Sequence, residues 1–72
     1  MRYEKVRIDT PFIKLDNLLK LAGAASTGGQ AKLMIQSGMV QVNGEVCTMR
    51  GKKMRPGDKA STDEMSIEVT SL

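Results

Sequence analysis

The segment 15–44 constrains the fold most, because its apolar residues change from a helical period to a strand period within it. Two runs place apolar or small residues at i, i+3, i+4 and i+7, the spacing of one helical face. These are Leu15, Leu18, Leu19 and Ala22, and then Ala31, Met34, Ile35 and Gly38. The spacing predicts a helix from about Lys14 or Leu15 that ends at Gly23, and a second helix that begins near Gly28 and ends at Gly38. Their short connection predicts a helical hairpin or corner.

The start of the second helix carries its own signal. Thr27 and Gln30 form a T-x-x-Q capping box, in which each side chain satisfies an N–H group that the first turn leaves without a partner. The same N–H groups, beside Gly28 and Gly29, also have a geometry that suits a phosphate oxygen. Ordinary capping and close helix packing explain these residues as well.

After Gly38 the period is two, and Asn43-Gly44 predicts a β-hairpin turn. A type I′ turn needs positive φ at both central residues, which Asn and Gly tolerate best. A strict two-residue loop would place Glu45 opposite Val42 and send Val46 to the other face. The pattern therefore defines the hairpin, with a return strand over 45–48, better than it defines the register.

The flanking segments complete an α+β domain, a two-helix hairpin packed on a small, mainly antiparallel sheet of short strands. Residues 2–8 are expected to be extended, with strand character over 6–8, and alternation of apolar and polar residues predicts a strand over 66–70. We expect turns at 10–13, 56–58 and 63–64, and a basic loop over 50–55. The whole chain, 1–72, is expected to be one domain.

Composition excludes several functions. With no histidine and a single cysteine, Cys47, the chain offers no internal disulfide, no zinc site and no histidine-based catalytic dyad. We therefore expect no enzyme activity, metal or cofactor, and no small-molecule substrate. Tyr3 and Phe12 are the only aromatic residues, too few for a platform on which exposed bases stack. No apolar run approaches the ~20 residues that span a bilayer, so we expect no membrane contact. The single cysteine favours a reducing cytoplasm, and we expect a monomer.

Charge is distributed unevenly along the chain. Residues 1–57 carry ten lysines and arginines against four carboxylates, a net charge of +6, whereas residues 58–72 carry one lysine against four carboxylates, a net charge of −3. Four of the six residues in 50–55 are basic. This asymmetry favours a basic face that attracts a polyanion. A solvated turn is the other explanation of the run.

The chain resembles the S4 RNA-binding domain, named after ribosomal small-subunit protein four, over residues 12–69. The small stand-alone bacterial members are the most similar, and the G-x-V-x-V-N-G segment that ends at Gly44 is the most specific part. The residues that carry the resemblance are Lys14-Leu15-Asp16, Leu18-Leu19, Gly23, Ser26, Ala31-Lys32, Ile35, Gly38, Val40, Val42-Asn43-Gly44 and Pro56-Gly57-Asp58.

The resemblance implies an αL-type motif that binds structured RNA, of the ribosomal or transfer RNA class, through the helix pair and the adjacent loop. The family commonly has arginine directly after the serine at Ser26, whereas Thr27 follows here. Asn43 is also fully explained as a turn residue. Docking of the basic face on an acidic protein is the alternative function. The predicted RNA-binding residues are Lys14, Ser26, Thr27, Gly28, Gln30, Lys32, Asn43, Arg50, Lys52, Lys53 and Arg55.

Overall fold

Two helices and seven strands are formed within residues 2–71, which are the residues that the computed structural model describes. The helices are α1 (Leu15–Leu21) and α2 (Gly28–Gln36). The strands are β1 (Arg2–Ile8), β2 (Ile13–Lys14), β3 (Gln41–Val42), β4 (Glu45–Val46), β5 (Lys53–Met54), β6 (Lys59–Ser61) and β7 (Met65–Ser71).

Five of the strands form one sheet in the order β1-β7-β6-β3-β4, and β2 pairs with β5 in a separate ladder. All pairs are antiparallel except β1 with β7, which run parallel from Arg2 opposite Met65 to Ile8 opposite Ser71. The predicted α+β class and mainly antiparallel sheet are confirmed. The longest pair in that sheet is nevertheless the parallel one.

Both predicted helices are confirmed, and the capping box is present with one difference. The Gln30 N–H donates to Thr27 Oγ1 at 3.1 Å, as expected for an N-cap. The Gln30 side chain accepts instead from the Ser26 N–H, at 2.7 Å, one residue before the cap. The box therefore also fixes the turn that leads into α2.

The hairpin register follows from its two-residue loop. Val42 lies opposite Glu45 and Gln41 lies opposite Val46, as a strict loop requires. Asn43 has φ 52° and Gly44 has φ 88°, the two positive values of a type I′ turn. The strands are shorter than predicted, since β4 ends at Val46 and the segment 47–48 is not a strand.

Two segments predicted as turn or loop contain strands. The turn expected over 10–13 runs into β2, and the loop expected over 50–55 contains β5. Each of these strands has two residues, too few to show a period of two, so only the pairing of Ile13 with Met54 and Lys14 with Lys53 defines them. Strand β6 lies between the expected turns and was not predicted, because its three residues are also too few to show a period of two.

The core is built almost entirely from aliphatic side chains and methionine, with α1 at its centre. Leu15, Leu18 and Leu19 have no solvent exposure, and Ile35 and Met54 pack with them. Leu21, on the opposite face of α1, is 65% exposed. Among residues 2–71, no helix is both long and apolar enough to cross a membrane.

Truncation of two leucines on the same helix tests this arrangement. Leu18→Ala should lower the free energy of unfolding by about 2–5 kcal/mol, because it removes buried methyl groups and leaves a cavity. Leu21→Ala removes the same atoms from an exposed position and should change it by less than about 0.5 kcal/mol. Urea denaturation measures both, and equal losses would contradict the burial of α1.

Candidate functional site

The structure places the predicted site residues in two groups. The loop group consists of Lys14, Asn43, Arg50, Lys52, Lys53 and Arg55, and the turn group consists of Ser26, Thr27, Gly28, Gln30 and Lys32. All of them are exposed except Lys52, which is half-buried. None of these side chains is therefore part of the buried core.

The backbone of the basic run is fixed against the first turn of α1. The Leu15 N–H donates to the Lys52 carbonyl at 2.9 Å, and the Asp16 N–H donates to the Arg50 carbonyl at 3.2 Å. These are N–H groups that a helix start leaves unpaired, and Lys14 makes no side-chain cap here. Pairing of Lys14 with Lys53 in the β2–β5 ladder holds the same run from the other side. The basic side chains are thus carried on an ordered backbone.

No carboxylate among residues 2–71 forms an ion pair with these cations. The only ion pair within residues 2–71 joins Arg2 and Glu4 at 3.1 Å, outside the loop group. The Lys53 ammonium lies 5.0 Å from the centre of the Phe12 ring, a cation–π contact that orients the lysine without cancelling its charge. The five cations of the loop group can therefore attract an anion.

Asp58 joins the hairpin to the basic run. Its Oδ2 accepts from the Arg55 N–H at 2.9 Å, and its Oδ1 accepts from the Asn43 side-chain amide at 3.3 Å. The Asn43 Oδ1 accepts in turn from the Lys59 N–H at 3.0 Å. The side-chain oxygen and nitrogen of Asn43 are both bonded within the protein, which gives this residue a structural role whether or not RNA also contacts it.

The environment of Asp58 favours its charged form. The Arg55 N–H lowers the pKa of this carboxyl below its ordinary value of 3.8, and the Asn43 amide and the charges of Lys52 and Arg55 act in the same direction. Partial burial opposes them and raises the pKa, but the net shift is downward. The carboxylate is therefore the form that holds the hairpin and the basic run together.

The turn group surrounds the start of α2. As described above, the Thr27 hydroxyl and the Gln30 side-chain oxygen, Oε1, both accept hydrogen bonds in the cap. The N–H groups of Gly28 and Gly29, however, find no acceptor among residues 2–71. Lys32 lies one turn further along α2 and is exposed. The turn group thus combines two available N–H donors with a nearby positive charge.

The two groups lie at the two ends of α1. The loop group is bonded to the first residues of this helix, and the turn group follows its last residues after a short connection. Seven helical residues span roughly 10 Å at about 1.5 Å per residue. No hydrogen bond among the described residues links the two groups directly, so α1 determines their separation.

Sequence reasoning did not identify Asp58 and Phe12 as parts of the site. Asp58 was recognised only as part of the Pro56-Gly57-Asp58 turn, which is type II: Gly57 has φ 97° and the Asp58 N–H donates to the Arg55 carbonyl. Its bond to Asn43 spans fifteen residues, and no local pattern indicates it. No sequence pattern indicates that Phe12, two positions before Lys14, contacts Lys53.

Comparison with known proteins identifies relatives across most of the chain. A family model described as S4 domain matches residues 6–70. YbcJ of Escherichia coli (strain K12), named as a candidate RNA-binding protein, is 38% identical over 61 residues, which are 85% of this chain and 87% of YbcJ. RlbA of Bacillus subtilis (strain 168), named as a probable ribosome maturation protein, is 42% identical over 53 residues, which are 74% of this chain and 75% of RlbA.

A solved structure matches the fold as well. It is the solution structure of YbcJ from E. coli, described as revealing an αL motif involved in RNA-binding. It superposes with a TM-score of 0.69 and 34% sequence identity, over 97% of this chain and 87% of that one.

The shifted pKa of Asp58 gives a test of its structural role. A carboxyl whose pKa is lower in the folded than in the unfolded state stabilises the fold at pH values above the unfolded-state pKa, and this stabilisation is lost as the pH falls through the folded-state pKa. Between about pH 6 and about pH 2.5, the free energy of unfolding should therefore fall more in the parent protein than in Asp58→Asn.

Urea denaturation at a series of pH values measures this difference. Asp63→Asn, which changes an exposed carboxyl in a different turn, is the matched control and should follow the parent protein. Parallel curves for the parent and Asp58→Asn would show that the carboxylate does not hold the hairpin to the basic run.

Proposed function

The chain belongs to the S4 domain family, and on that premise we propose that it is a non-catalytic RNA-binding protein that recognises structured RNA of the ribosomal or transfer RNA class. The observation that carries the proposal is the loop group, whose five cations form no ion pair with a carboxylate among residues 2–71 and lie on a backbone bonded to the start of α1. Such an arrangement fits the phosphate backbone of a folded RNA.

Phosphate binding follows from the charge and order of the loop group. Each lysine or arginine that neutralises a phosphate releases condensed counterions, which makes binding strong at low salt and sensitive to salt. Because the backbone of 50–54 is held by α1 and β2, this segment loses less backbone conformational freedom on binding than a loose loop would. The loop group would therefore supply the electrostatic part of the affinity.

The scarcity of aromatic side chains favours folded RNA over single strands. Tyr3 is on β1, at the opposite edge of the sheet from the β3–β4 hairpin, and Phe12 is half-buried beside Lys53. Sequence-tolerant binding of single strands depends on stacking of successive bases on aromatic rings. Recognition of a helical or folded RNA by shape and backbone needs no such rings.

The turn group would provide a second contact with the same RNA. The N–H groups of Gly28 and Gly29 can donate to a phosphate oxygen at the positive end of the α2 dipole, and Lys32 adds a charge nearby. The arginine that commonly follows the serine in this family is replaced by Thr27 here. Backbone donors in place of a side-chain cation would make this contact depend less on salt.

The named relatives support the same class of target. YbcJ is described in terms of RNA binding, and RlbA in terms of ribosome maturation. Ribosomal RNA is a structured RNA that would fit both descriptions. Such a target would place the protein in the cytoplasm.

Recovery of the bound molecule tests the proposal directly. The protein is captured from a bacterial extract at low salt, with and without ribonuclease, and the RNA that accompanies it is sequenced. Enrichment of one structured RNA, lost at high salt, is the expected result. Recovery of a partner protein whose association persists after ribonuclease treatment, without enriched RNA, would overturn the proposal in favour of docking on an acidic protein.

Removal of two lysines from the loop group should weaken RNA binding similarly for all RNA sequences. In Lys52→Ala/Lys53→Ala, the slope of log Kd against log salt should fall by roughly 1 for each lysine that contacts a phosphate. The matched control is Lys5→Ala/Arg7→Ala, which removes the same charge from β1 at the far edge of the sheet. Filter binding over a salt series measures the slopes, and equal changes in both variants would remove the loop group from the interface.

Substitution of the two glycines of α2 separates binding from folding. A Cβ at Gly28 meets nothing within 4 Å, and one at Gly29 meets only the Thr27 hydroxyl at 3.9 Å, so both sites accept alanine. Gly28→Ala/Gly29→Ala should raise the free energy of unfolding by up to about 1 kcal/mol, because alanine favours the helix. RNA affinity should nevertheless fall roughly tenfold if a phosphate approaches these N–H groups.

Thermal unfolding and RNA titration of the same variant measure the two effects. A more stable variant with unchanged RNA affinity would leave the start of α2 with a capping role alone.

A further inference from the structure

A groove of about 500 Å³ lies between the β3–β4 hairpin and the segment that leads to the loop group. Its volume is within the range of about 300–1,000 Å³ that is usual for small-molecule sites. The lining residues that matter for its chemistry are Asn43, Glu45, Val46, Cys47, Met49 and Lys52. The RNA contacts proposed above involve Asn43 and Lys52 but assign no occupant to the rest of this groove.

The apolar part of the groove exposes side chains that the core does not use. Val46 is 58% exposed and Met49 is 64% exposed, while Cys47 between them is half-buried. A flat apolar ligand would cover this surface, which lies beside the half-buried Lys52 rather than on a remote face. Methionine suits such a ligand, because its polarisable sulfur contacts aromatic rings favourably.

The polar part of the groove has one acidic and one basic residue on different elements. Glu45 begins β4 and Lys52 precedes β5, and both line the groove. The Glu45 carboxylate repels a phosphate but accepts hydrogen bonds from the amino group of a base. The Lys52 ammonium attracts a phosphate. A nucleotide carries both features, an amino-bearing base and a phosphate, and so matches the two ends.

Asn43 lies in the wall of the groove but has little capacity to read a base. Its amide is bonded to Asp58 and to the Lys59 N–H, at 3.3 and 3.0 Å. These bonds fix the position of the hairpin turn, and Glu45 directly follows that two-residue turn. Asn43 therefore positions the wall, and Glu45 is the residue that can distinguish bases.

We propose that this groove receives one unpaired, amino-bearing nucleobase of the bound RNA, with its ring against Met49 and Val46, its amino group at Glu45 and its phosphate at Lys52. The inference rests on the proposed RNA binding and adds to it a preference for RNA helices with a bulged nucleotide. The charges of the loop group supply the complementarity to RNA that an apolar groove alone would lack.

Two RNA stems of equal length and charge test the groove, one fully paired and one with a single bulged cytosine. The parent protein should bind the bulged stem more tightly. Met49→Ser should lower this preference roughly two- to tenfold, the range expected for loss of a methionine–aromatic contact. Its affinity for the paired stem, and its salt slope, should not change. Met49→Leu, which keeps the apolar surface, should retain most of the preference.

Leu33→Ser is the matched control, because Leu33 is 70% exposed on α2 and does not line the groove. It should leave both affinities unchanged.

A second comparison replaces the bulged cytosine with uracil, which has a carbonyl in place of the amino group. The parent protein should prefer cytosine, and Glu45→Gln, whose amide can also donate, should reduce this preference.

The outcomes separate the inference from the function on which it rests. Binding of both stems with a normal salt slope, but with the same preference in Met49→Ser as in the parent protein, would overturn the groove and leave the proposed function intact. Equal affinity of the parent protein for the two stems would also overturn the groove and leave the proposed function intact. Failure to bind either stem at any salt concentration would overturn both.

Discussion

Burial of one face of α1 is the constraint on which the rest of the structure depends. This helix has seven residues, too few to be stable alone in water, so its side-chain packing must hold it. Leu15, Leu18 and Leu19 provide that packing with no exposed surface. The first N–H groups of α1 hold the carbonyls of Arg50 and Lys52, and its last residues lead to the turn before α2. Both groups of candidate RNA-binding residues are thus positioned by one short buried helix.

The sequence predicted those parts of the fold that depend on local patterns. The periodicity of the leucines, the Thr27–Gln30 cap and the Asn43-Gly44 turn each involve residues within a few positions of one another, and all three are confirmed. The β2–β5 ladder and strand β6 depend on pairing between distant segments of two or three residues. Segments so short have no measurable period, and only the folded chain defines them.

The candidate site shows the same division between local and distant information. The order of the residues located the basic run, and its basic side chains are exposed, apart from the half-buried Lys52, and form no ion pairs among residues 2–71. The roles of its neighbours could not be read from the sequence. Asn43 was explained as a turn residue, but its bonds to Asp58 and Lys59 come from segments about fifteen residues away. The groove beside Met49 has no sequence signature, because its walls come from two strands, a turn and an irregular segment.

The parallel pairing of β1 with β7 has a consequence for the order in which the chain can fold. Arg2 pairs with Met65, so β1 finds its partner only after some sixty further residues have been made. Closing so large a loop is slow compared with formation of the helix pair or the hairpin. During that interval the seven-residue strand offers unpaired N–H and C=O groups to any other nascent chain. Lys5 and Arg7 place positive charges at alternate positions along this strand, and these charges would limit aggregation before the sheet closes.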